Sequence, residues 1–101
     1  MTKMTAEART EHLLDVAVDL AEEIGFDNLT RDGIATAAGV SFCLVTFRLG
    51  HTAELRRNVM RRAVKRQSLA VIAQGLARND KVAAKASTDL KQRAAAWLAQ
   101  R

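Results

Sequence analysis

Apolar residues recur along this chain at three- and four-residue intervals, and no stretch alternates long enough to read as a strand. Leu13, Ala17, Leu20 and Ile24, widened by Leu14 and Ala21, predict an amphipathic helix over residues 5–24. Glu7, Glu11, Asp15, Asp19, Glu22 and Glu23 fill most of its polar positions. Gly25 stops it, and Phe26 folds back onto its last turn. Thr30 then reads as an N-cap, with Asp32 in the first turn of a short second helix that buries Ile34, Ala35 and Ala38. Gly39 breaks that helix and Val40 is an apolar turn residue. Ser41 caps a third short helix that runs to about residue 49, where Gly50 ends it. Thr52 opens a fourth helix with an apolar side of Leu55, Val59 and Ala63, continued by Leu69, Ile72, Ala73 and Leu76. Asn79 and Asp80 interrupt the pattern. Asp80 caps a fifth helix over residues 81–100, striped by Ala83, Ala86, Leu90, Ala94 and Trp97. The expected fold class is all-α: a helical bundle with a helix-turn-helix followed by two longer C-terminal helices.

Composition supports that reading. The chain has 101 residues, nearly half apolar, but only three Phe, one Trp and no Tyr. Ala supplies much of the apolar content, which suits close-packed helices. With no Pro and five Gly, nothing reads as a linker, so one continuous compact domain is expected. Within it, residues 1–55 form the helix-turn-helix region. Residues 56–101 supply basic and Ala-rich helices for DNA backbone contact and dimerisation. No apolar run approaches the roughly 18 residues of a membrane span. The first fifteen residues are polar, without a signal-peptide core, and Cys43 is the single cysteine. These features together predict a cytoplasmic protein.

Charge changes the picture more. The net charge of +5 is the sum of two unequal halves. Residues 1–50 carry four Lys/Arg against eight Asp/Glu, a balance of −4; residues 51–101 carry twelve against three, a balance of +9. A basic half of this strength favours a polyanionic partner, of which nucleic acid is the commonest.

The informative stretch is residues 30–55. A helix-turn-helix needs a small residue where its two helices cross, which Ala35 provides, and a turn residue tolerant of positive φ, which Gly39 provides four residues later. Ile34, Ala38, Val40, Val45 and Leu49 are spaced to pin both helices to the domain, leaving the outer face of the second for a major groove. The run LLDVAVDLAEEIGFDNLTRDGIATAAGVS, residues 13–41, resembles the N-terminal DNA-binding domain of the TetR family of repressors. It shares with them an amphipathic first helix, Gly-Phe, a capping Thr, and Ile-Ala-x-x-Ala-Gly-Val-Ser before a short recognition helix. The likeness covers about residues 10–55, half the chain. After Ser41 the chain departs from the family. Thr46 stands where a Tyr is usual, Arg48 where a His is usual, and Thr52 where a Lys is common. Family members also carry a larger C-terminal domain for ligand binding and dimerisation, and too little chain remains here to form that pocket. The resemblance thus implies a short DNA-binding regulator, of the kind plasmids and phages encode, with no small-molecule effector.

The expected base contacts are Phe42, Cys43, Thr46, Phe47 and Arg48. Phe42 and Phe47 lie toward the exposed side of their helix. They either touch thymine methyls and sugar edges or pack on another part of the protein or a dimer partner. Thr46 and Arg48 are the polar candidates, with Arg48 suited to guanine or to phosphate. Cys43 reads as a packing or groove residue. Expected phosphate contacts are Thr30, Arg31 and Ser41, His51 and Thr52 at helix starts, and Arg57 and Arg61 from the run Arg56, Arg57, Arg61, Arg62, Lys65 and Arg66. A lone helix-turn-helix reads few base pairs, so a homodimer is expected, with Leu76, Leu90, Ala94, Trp97 and Leu98 as its interface. Neither His12 nor His51 has a partner spaced for metal binding, no cofactor is implied, and no enzyme signature occurs. The reading is a sequence-specific duplex-DNA-binding regulator, a homodimeric repressor on a palindromic operator. The alternatives are a protein-interaction adaptor and a nonspecific nucleoid-type binder on the same fold.

Overall fold

The computed structural model describes residues 5–100; residues 1–4 of the polar start and Arg101 lie outside the described residues. The all-α expectation holds: among the described residues there are seven α-helices, one 3-10 turn and no strand. The first helix, α1, spans Ala6–Ile24 and begins where the Thr5 hydroxyl accepts the Ala8 N–H at 3.0 Å. It buries Leu13, Ala17, Val18 and Ala21. After Gly25 the short 3-10 turn Phe26–Asn28 tucks the Phe26 ring beneath the helix. Then follow α2 (Arg31–Ala38), α3 (Phe42–Leu49) and α4 (Thr52–Arg66). Ile34 and Ala35 of α2, Val45 and Leu49 of α3, and Leu55, Val59, Met60 and Ala63 of α4 close over the buried stripe of α1. These are the positions the helical period selects.

The expected fourth helix is in fact two. It stops at Arg66, Gln67 takes the left-handed conformation at φ 57°, and α5 begins afresh at Leu69–Ala77. The apolar stripe fails at that point: one turn beyond Ala63 comes Gln67, not an apolar residue. The turn closes through Ser68 N–H to Ala63 O at 2.8 Å and Gln67 N–H to Val64 O at 3.1 Å. The Ser68 hydroxyl, buried, donates to the Glu22 carboxylate of α1. The reversal lets α5 lie back on the bundle. Gly75 sits there so tightly that a Cβ would come within 2.5 Å of Met60 Cε and 2.9 Å of Ala83 Cβ.

The expected fifth helix also divides, into α6 (Lys81–Ala84) and α7 (Thr88–Ala99). Asp80 caps α6 as the sequence predicts, accepting the Val82 and Ala83 N–H groups at 2.9 and 3.0 Å. Ser87 is a second cap, accepting Leu90 N–H at 3.2 Å, and it starts α7 in a new direction. Leu90 and Ala94 of α7 pack with Ile72 and Ala73 of α5 in a smaller second core, and Leu76 bridges the two cores. No single helix among the described residues is long and apolar enough to cross a membrane.

Candidate nucleic-acid interface

Two short helices and the start of a third build the site. Thr30 caps α2 by accepting Gly33 N–H at 3.0 Å, and Ser41 caps α3 by accepting Leu44 N–H at 3.1 Å. Between them Gly39 adopts the left-handed conformation, φ 70° and ψ 35°, while Val40 N–H closes on Ala35 O at 3.0 Å. A residue with a Cβ is strained in that conformation, so the turn favours glycine. The chain bends by 111° between α2 and α3, within the range of a helix-turn-helix. Val45 and Leu49 anchor α3 and Leu44 packs at the rim of the core. What remains outward is Phe42 at 41% exposure, Phe47 at 76%, and the exposed Cys43.

Arg31 organises one edge of this surface. Its Nη1 donates to Thr46 Oγ1 at 3.1 Å and lies 3.2 Å from His51 Nδ1. Because a guanidinium only donates, Nδ1 is the acceptor of that contact. The Arg31 guanidinium also lies 4.7 Å from the Phe42 ring centre, a cation–π stack. Thr46 in turn donates its hydroxyl to Phe42 O at 3.2 Å. With its ring held by Arg31, His51 makes no side-chain cap to α4 although it occupies the N-cap position. The first-turn N–H groups of α4 thus stand without a capping side chain beside a depression of about 350 Å³ lined by Thr30, Arg31, Asp32, Phe42, Thr52 and Arg56. Helix-start amides and two guanidiniums make this depression receptive to a phosphate, with the Asp32 carboxylate as the opposing charge.

Of the residues singled out from sequence, the structure brings Thr30, Arg31, Phe42, Thr46, His51 and Thr52 together, with Ser41, Cys43 and Phe47 on the adjoining face of α3. Arg48 goes elsewhere. It is half-buried, stacks on the Phe47 ring at 5.0 Å, and turns into a depression beside Ala6, Glu7, Thr10 and Glu11 of α1. Its Nε is buried with no hydrogen-bond partner. Arg57 and Arg61 lie apart from the Arg31 cluster, in a groove between α4 and α6 with Lys81 and Lys85. Lys81 and Lys85 were not among the residues picked from sequence, although their four-residue spacing places them on one helix edge as it does Arg57 and Arg61.

Of the rest of the basic run, Arg62 and Arg66 pair with α1, Arg56 touches the turn after α1 while still lining the depression, and Lys65 is exposed. Arg62 forks onto Asp15, Nε to Oδ1 at 2.8 Å and Nη2 to Oδ2 at 2.9 Å, with Glu11 at 3.7 Å. Arg66 reaches Asp19 at 2.9 Å and Asp15 at 3.6 Å. The hydrogen bonds from Arg62, opposed in part by burial, hold the Asp15 carboxyl below the usual carboxylate range. Arg56 lies 5.5 Å from the Phe26 ring centre and donates to Asp27 O at 3.4 Å. Charge alone suggests that the basic run offsets the acidic first helix, but not which of its arginines meet Asp15 and Asp19.

The expected interface residues divide as well. Leu90 and Ala94 are buried in the chain's own second core, Leu76 and Trp97 are half-buried against it, and Leu98 stands 49% exposed. Leu98 and the edge of Trp97, with Ile24 nearby at 40% exposure, are what this side offers a partner.

No family model, no curated protein and no solved structure matches the chain.

Proposed function

We propose that this chain is a sequence-specific duplex-DNA-binding transcriptional regulator of the TetR-like helix-turn-helix type, acting in the cytoplasm as a homodimeric repressor on a palindromic operator. The observation that carries the reading is the 111° bend between α2 and α3, which buries one face of α3 and leaves the other to solvent beside the Arg31 cluster. In this reading α3 enters the major groove. Phe42, Cys43 and Phe47 meet thymine methyls and sugar edges, and Thr46 adjoins the base edges. Arg31, Thr30, Ser41, His51, Thr52 and the α4 amides take phosphates on either side. Two half-sites related by two-fold symmetry supply the length of sequence one α3 cannot read. The partner surface is the outer side of α7 around Trp97 and Leu98.

The test is selection of bound duplexes from a random library, followed by footprinting and sedimentation. The expected outcome is an enriched palindrome, a dimer at micromolar concentration, and affinity that falls steeply with salt. A second reading, a protein-interaction adaptor, draws on the apolar outer face of α3, where Phe47 is largely exposed. Failure to enrich any sequence, with no salt-dependent duplex binding, favours it. Binding without preference favours a nucleoid-type protein.

A further inference from the structure

Four of the cations left without an ion pair among the described residues gather in one groove, apart from the Arg31 cluster. Arg62 and Arg66 pair with α1, Arg78 with Asp27 at 3.0 Å, and Arg93 with Asp89 at 3.8 Å. Arg57, Lys81 and Lys85 have no carboxylate within ion-pair distance among the described residues, and Arg61 reaches only the Asn58 side-chain oxygen at 3.4 Å. These four line a groove of about 420 Å³ between α4 and α6. Arg57 and Arg61 form one rail and Lys81 and Lys85 the other, each pair one helical turn apart. The floor is Val64, Val82 and Ala86, all half-buried and apolar, and no acidic residue lines the groove. The nearest candidate, Asp80, is occupied in capping α6.

We infer that this groove docks an acidic amphipathic peptide segment of a partner protein. Its apolar side chains would rest on Val64, Val82 and Ala86, and its carboxylates against the two rails. Charge complementarity sets the sign of the partner, and the floor sets its second requirement. Duplex DNA meets only the first, since a phosphate backbone offers nothing to cover an apolar floor. Position agrees: Arg61 lies nine residues beyond Thr52, about 13 Å along the helix at 1.5 Å per residue, away from the α4 start where phosphate contacts are proposed. Arg57 and Arg61, expected from sequence on the DNA backbone, serve this groove instead. The inference does not rest on the DNA-binding reading.

Fluorescence anisotropy of the full chain with labelled peptides tests it. The probe is a peptide of about a dozen residues alternating Glu or Asp with Leu or Phe. The control keeps every acid and replaces each Leu and Phe with Ser. The expected result is saturable binding of the probe at physiological salt, with the control at least about ten-fold weaker, as loss of the apolar contacts requires. Lys81→Gln with Lys85→Gln should weaken the probe about five-fold by removing two exposed ion pairs, with the melting temperature and duplex-DNA affinity unchanged. Equal binding of probe and control would reduce the groove to a bare charge patch and overturn the inference. So would displacement of the probe by random-sequence duplex together with weakened duplex binding in the double variant, which would make the groove a nucleic-acid surface. An undiminished probe affinity in that variant places the peptide elsewhere and overturns it too.

Discussion

Replacing Arg62 with Ala removes the clamp that holds α4 against α1, and with it part of what orients the helix-turn-helix. Two charge-assisted hydrogen bonds disappear, at 2.8 and 2.9 Å, from a guanidinium whose side chain is only 17% exposed. Net contributions of hydrogen bonds to charged groups run at about 1.5–3 kcal/mol each. The two share one carboxylate and are not additive, and the Asp15 side chain is 37% exposed, so solvent screening lowers the total. Asp15 is not stranded either, because Arg66 stays 3.6 Å away. Together these place the loss at about 2 kcal/mol, which for a domain of this size lowers the melting temperature by roughly 8–16 °C. The pH dependence carries its own signature. Asp15 has a folded-state pKa below its unfolded value, so its stabilisation is fully present above the unfolded pKa. It disappears as pH falls through the folded one. The gap in stability between wild type and Arg62→Ala should therefore be full at neutral pH and shrink below about pH 4. Urea unfolding at pH 7 and at low pH measures both. A melting temperature within a degree or two of wild type at pH 7, or a gap that persists undiminished in acid, refutes this account of the clamp.

Gly75→Ala should destabilise by about 1–2 kcal/mol in urea titration, because contacts at 2.5 and 2.9 Å outweigh the helix-propensity gain of about 1 kcal/mol; a stabilised variant would show that α6 yields freely. Phe47→Ala, at a largely exposed position, should leave stability within about 0.5 kcal/mol of wild type. In a gel-shift titration it should weaken the selected duplex by about 1–3 kcal/mol, and unaltered binding would remove Phe47 from the interface. Arg48→Ala should leave the selected consensus unchanged in a repeat of the library selection, since its guanidinium turns toward α1. A changed consensus would return Arg48 to the base edges.

Features that depend on residues close together in the chain were legible without the fold. The stripe from Leu13 to Ala21, the caps at Thr30, Ser41 and Asp80, and the left-handed Gly39 were all readable, because a helix period, a side chain reaching three residues on, or a missing Cβ are local facts. So was the buried pinning of Ile34, Val45 and Leu49. The stop at Gln67 and the new start at Ser87 left only faint traces, a polar residue out of stripe and one more serine, and an unbroken helix was the simpler local solution. Packing decided there, because α5 and α7 bury Ile72, Ala73, Leu90 and Ala94 against each other only if the chain turns back. The fate of each cation was also a tertiary matter. Arg57, Arg61, Arg62 and Arg66 look alike in sequence, yet two meet carboxylates from residues 11–19 and two meet lysines at 81 and 85. Coulomb energy depends on distance in space, and only the fold brings segments separated by twenty to fifty residues within reach of each other.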